Sequence, residues 1–88
     1  MNMKIALIGS EKAAQGFEIA GLNKKDGTVY TFEHDCDIER LKEAFYTLIN
    51  KNDVGLIFIA ENLSELLKNE INEYKKTLPA ILKIPSRF

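Results

Sequence analysis

Tryptophan is missing from this chain, and cysteine and histidine occur once each. A single thiol, Cys36, can close no disulfide within the chain, so a reducing compartment is the expected setting. Charge of one sign is also lacking. Twelve Lys and Arg stand against thirteen Asp and Glu, for a net charge of -1. Such a balance gives no field to draw in nucleic acid or acidic lipid, and Lys24-Lys25 and Lys75-Lys76 are pairs set among acids, not patches. Nucleic acid is excluded as a partner on this reading. Long apolar runs are absent too: nothing nears the roughly 20 residues that cross a bilayer. The opening run Ile5-Ala6-Leu7-Ile8 is too short for the apolar centre of a signal peptide, and no cleavage site follows it. The expected location is therefore cytoplasmic, with no direct membrane insertion.

Proline is scarce, and its two copies are informative. Pro79 and Pro85 fence the apolar run Ala80-Ile81-Leu82-Lys83-Ile84. Proline donates no backbone hydrogen bond and sits at the start of a strand or just past its end, so this run reads as a brief buried strand with a stop on either side.

Hydrophobic residues make up 45% of the chain and charged ones 28%, a balance that excludes a disordered tail. Eighty-eight residues form one domain, 1–88, which buries about two-thirds of the surface of its unfolded chain, so its stability is modest.

Met3 to Ile8 is a nearly unbroken apolar run ending at Gly9-Ser10, as a parallel strand covered on both faces would be. Ser10 offers a helix N-cap, Ala13, Ala14, Phe17 and Ala20 recur at helical spacing, and Gly21 is placed to end the helix. Gly16 lies inside this helix at a cost of about 1 kcal/mol relative to alanine. Close approach to the sheet or to a partner would account for it. Asp26-Gly27 is a turn signal, and Thr28 to Phe32 is a β-branched and aromatic run.

Asp35 or Asp37 caps a second helix whose stripe is Ile38, Leu41, Phe45, Leu48 and Ile49. Val54 to Ala60 is the most hydrophobic strand and so a central one. Asn62 and Glu65 have the spacing of a capping box, and Leu63, Leu66, Leu67, Ile71, Tyr74 and Leu78 continue as one helical stripe up to Pro79. The order is βαβαβαβ. Short helical crossovers imply an α/β fold: a single four-stranded parallel sheet, order 2-1-3-4, with helices on both faces and flavodoxin- or receiver-like topology.

In such folds function gathers at the carboxyl ends of the strands. That edge holds Gly9, Ser10 and Glu11, then Glu33, His34 and Asp35, then Glu61 and Asn62, then Ser86 and Arg87. Gly9-Ser10-Glu11 has a single glycine followed closely by an acid that would repel phosphate, which speaks against a nucleotide cradle. Glu33-His34-Asp35-Cys36-Asp37 has ligand-type side chains, but one loop with one His and one Cys is thin material for a metal centre, and a solvated acidic loop that caps a helix is the simpler reading. Ser10 and His34 have nothing that places them in a triad. Glu11 and Glu61 suit helix starts better than acid–base work. The chain thus reads as having no catalytic, cofactor or metal residues. Its alternative reading is a free-standing small-molecule-binding or enzymatic domain using the strand-end edge.

Four segments in order resemble the F subunit of the V-type and A-type rotary ATPases (ATP synthases), the small component of the central stalk. Ile5-Ala6-Leu7-Ile8-Gly9 is followed by Gly16-Phe17-Glu18-Ile19-Ala20-Gly21. Then come Asp53-Val54-Gly55-Leu56-Ile57-Phe58-Ile59-Ala60-Glu61 and Leu78-Pro79-Ala80-Ile81-Leu82-Lys83-Ile84-Pro85-Ser86. The similarity spans about Lys4 to Ser86. It implies a non-catalytic rotor component that binds no nucleotide and docks on the coiled-coil D subunit of the central stalk. Through that coiled coil it would join the catalytic hexamer and the membrane rotor, coupling ATP hydrolysis or synthesis to ion transport from a peripheral position. Two departures stand out: Ser10 replaces the acid usual after Gly9, and the family's C-terminal helix is absent or truncated. The expected partner interface is the strand-end edge: Ser10, Glu11, Phe17, Glu61, Asn62, Pro85 and Ser86.

Overall fold

The computed structural model describes residues 3–19 and 28–85. Ala20, Gly21, Lys24-Lys25, the Asp26-Gly27 turn, Ser86 and Arg87, singled out above, lie outside the described residues. The elements are β1 (Lys4–Gly9), α1 (Glu11–Ile19), β2 (Val29–Thr31), α2 (Ile38–Ile49), β3 (Val54–Ala60), α3 (Glu61–Leu66), α4 (Lys68–Glu73) and β4 (Ala80–Ile84). All strand pairs are parallel, and the sheet order is β2-β1-β3-β4, as expected.

That order dictates where the helices go. The connection from β1 to β2 runs one way across the sheet, and those from β2 to β3 and β3 to β4 run the other way. Right-handed crossovers then place the first helix on one face and the later helices on the opposite face. Alternation along the strands sorts the core to match. Ala6, Ile8, Ile57 and Ile59 pack with Leu41, Phe45 and Leu48 of α2, Leu63 of α3 and Leu67, all fully buried. On the other face Leu7 packs with Ala13 and Ala14 of α1, and Phe17, Val29, Phe58 and Ile84 lie around them.

The caps follow side-chain chemistry where a loop precedes the helix. Ser10 Oγ accepts from the Ala13 amide at 3.1 Å at the head of α1. Asp37, one of the two candidate caps, accepts from the Glu39 amide at 3.0 Å at the head of α2. Each such cap is worth about 1 kcal/mol. The ion pairs Lys4–Asp53 (3.3 Å) and Lys42–Glu70 (3.9 Å) are partly exposed and contribute little.

Several expectations need correction. Asn62 does not cap: β3 passes straight into α3, extended Ala60 holds the cap position without a side-chain bond, and Asn62 already lies in the first turn. The long third helix is two. Leu67 interrupts it with backbone angles of -104° and 17°, and its amide is shared between the Leu63 and Ser64 carbonyls. The second piece stops at Glu73 rather than Leu78: Tyr74 takes extended angles of -74° and 119°, with its ring against Phe45 and its hydroxyl donating to the Pro79 carbonyl. Leu78 is 54% exposed. Gly16 meets no sheet: a Cβ built there finds nothing within 4 Å among the described residues, whereas one on Gly55 would come within 2.9 Å of the Met3 Cβ. Finally, β4 has the expected limits but is not buried, because among the described residues it is the last strand of the sheet and has a neighbour on one side alone.

Candidate partner-docking site

Pairing of Gly9 with Thr31 and of Ala60 with Ile84 aligns the carboxyl ends of the strands. Ser10 and Glu11, Glu61 and Asn62, and Pro85 therefore follow their strands along one margin of the sheet. Ser10 is committed to the α1 cap. Glu11 and Glu61 are exposed acids in the first turns of α1 and α3, the end where negative charge favours a helix. Pro85 is exposed. Phe17 is not an exposed anchor on this margin. It is half-buried, with its ring 5.3 Å from that of Phe58 and tilted by 36°.

Two open grooves of about 530 and 450 Å³ run beside β2 and α2, and Phe32 and Arg40 line both. The first is completed by Tyr30, Glu43, Ala44 and Thr47, the second by Thr31, Glu33, Cys36 and Asp37. Neither is lined by Ser10, Glu11, Glu61 or Asn62, so the enzymatic alternative finds no cavity of this pair at its chosen residues. Burial pushes the Cys36 thiol above its usual pKa, with the Asp35 and Asp37 carboxylates adding to it against a backbone hydrogen bond. A thiol so placed is a poor nucleophile and metal ligand at neutral pH. Among the described residues no three His, Cys, Asp or Glu side chains are grouped to hold a metal ion. No helix among them is long and apolar enough to cross a membrane.

What reading the sequence missed is a second surface, on the α1 side of the sheet. Leu82 is 50% exposed and Ile5 37% exposed, both on strands. Three helical crossovers over a four-stranded sheet divide two to one between the faces, and that count was available from the element order.

The fold and its margin define a small α/β domain with a four-stranded parallel sheet of order β2-β1-β3-β4. A family model described as ATP synthase (F/14-kDa) subunit matches residues 5–88. The A-type ATP synthase F subunit of Thermococcus kodakarensis is 43% identical over 86 residues, covering 97% of this chain and 76% of the relative. The V-type proton ATPase F subunit of Rattus norvegicus is 31% identical over 87 residues, covering 94% and 73%. The crystal structure of the V-type ATP synthase F subunit of Archaeoglobus fulgidus superposes with a TM-score of 0.71 at 20% identity, covering 96% of this chain and 99% of that one, which establishes the shared fold. The chain belongs to the family of V-type and A-type ATPase F subunits.

Proposed function

We propose that this chain is a non-catalytic rotor component that docks on the coiled-coil D subunit of the central stalk. It then helps couple ATP hydrolysis or synthesis to ion transport. The observation that carries the reading is the family match across residues 5–88. The β1–α1 loop supports it, because a single glycine followed by a capping serine and an acid offers no nest for phosphate. In this reading the domain works on the cytoplasmic side, peripheral to the membrane, and reaches the catalytic hexamer and membrane rotor only through the coiled coil. The strand-end margin, with Ser10, Glu11, Glu61, Asn62 and Pro85, forms one flank of the docking surface, and Phe17 supports it from beneath.

Co-expression with the coiled-coil stalk protein of the same source, followed by size exclusion with light scattering, tests this. A 1:1 complex is the expected result, together with no ATP hydrolysis by the pure chain. A free monomer beside an intact coiled coil, or turnover of ATP by the chain alone, would overturn it.

A further inference from the structure

On the α1-side face α1 covers Leu7, whereas among the described residues Ile5 on β1 and Leu82 on β4 stay exposed and Leu56, Phe58 and Ile84 are only half-buried. Strand register sets the positions of this face in rows: Ile5, Leu56 and Ala80, then Val29, Leu7, Phe58 and Leu82. Along the second row exposure climbs from 0% at Leu7, beneath α1, to 50% at Leu82. Ile84 continues the strip along β4. Every one of these positions is apolar. The opposite face carries α2 and α3 over the same four strands. Strands lie about 4.8 Å apart and helices pack about 8–10 Å apart, so a four-stranded sheet seats two helices per face. The bare strip is one helix wide. Phe17 against Phe58 walls it on one side, and the outer margin of β4 bounds it on the other.

The chemistry of the surroundings selects the occupant. A second copy of this chain is disfavoured, because α1 stands beside the strip and Lys12, Gln15 and Glu18 on it are exposed. Face-to-face pairing would press those polar groups towards the apolar strip of the other copy, an uncompensated burial. An extended peptide would use the hydrogen-bonding margin of β4 rather than this face. A helix with an apolar stripe and polar flanks satisfies both constraints, since its stripe meets the strip and its flanks meet α1 and solvent.

We propose that the strip formed by Ile5, Leu56, Leu82 and Ile84 seats one helix of the coiled-coil stalk protein, supplying the apolar centre of the interface. This rests on the docking reading above.

The test is calorimetric titration of the coiled-coil protein with wild type, Leu82→Glu, Leu82→Met and Lys68→Glu chains. Leu82→Glu is expected to weaken binding about 30-fold or more, as loss of a central apolar anchor does. Leu82→Met should match wild type, and Lys68→Glu, exposed on α4 at the opposite face of the sheet, should leave affinity unchanged within about twofold. Circular dichroism checks the fold. Should Leu82→Glu lose it, Ala80→Glu, at an exposed position of the same strip, is the replacement and should show the same loss of binding. Undiminished binding by a folded Leu82→Glu or Ala80→Glu chain overturns the proposal while leaving the docking reading intact. Absence of binding by wild type overturns both. A wild-type dimer in light scattering that Leu82→Glu splits assigns the strip to a second copy and overturns it as well.

Discussion

Tyr74 joins the end of the last helix to the start of the last strand. Its hydroxyl donates to the Pro79 carbonyl, and its ring meets that of Phe45 edge-on at 6.4 Å and 69°. Phe45 is fully buried at the centre of the larger core, so this contact ties the approach to β4 into the part of the molecule least able to move. Burial raises the Tyr74 pKa above its usual 10.0. A raised value means the folded chain favours the neutral phenol. The stabilisation is complete below the unfolded pKa and is lost as pH rises through the folded one. Tyr74→Phe should therefore cost about 1 kcal/mol at neutral pH, through the unpaired Pro79 carbonyl. It should also flatten the fall in stability as pH rises from about 10 upward. Urea midpoints for both chains across that range check the two effects together.

Among the elements, α1 carries a glycine that its own surroundings do not require. Gly16 is exposed, and a Cβ added there meets nothing within 4 Å among the described residues. Gly16→Ala should raise stability by about 0.5–1 kcal/mol by reducing the freedom of the unfolded chain, seen as a higher urea midpoint with an unchanged slope. The sequence was legible where one physical rule acts alone. Pro79 and Pro85 gave the limits of β4, and the apolar run Val54–Ala60 gave those of β3. It was not legible where two rules compete. A one-residue interruption at Leu67 leaves the apolar stripe of Leu63, Leu66 and Ile71 unchanged, so periodicity passes over it. Asn62 and Glu65 have capping-box spacing, but a helix that follows its strand without a loop has its cap at Ala60 and so moves that pair two positions inside the helix.

At the scale of the whole molecule, the sheet order and the division of helices between its faces follow from the order of elements and the handedness of crossovers. Exposure does not. A strand run such as Ala80–Ile84 reads the same whether one face or two are covered, so the bare half-face came only from the structure. The margin residues Ser10, Glu11, Glu61 and Asn62 were placed on one edge by topology alone, whereas Phe17 was drawn inward by Phe58. The place of β4 as the last strand also bears on solubility. Ala80, Ile81, Leu82 and Ile84 make a short β-prone run, and Lys83 is its single charge. An open row of backbone donors and acceptors beside such a run is a template for cross-β stacking, and one lysine repeated in register along a growing fibril would repel itself at every layer. Lys83→Val should remove that barrier and give concentration-dependent growth of thioflavin-positive aggregates under conditions where wild type stays clear. A single ammonium group thus keeps the outer margin of the sheet exposed without making it self-adhesive.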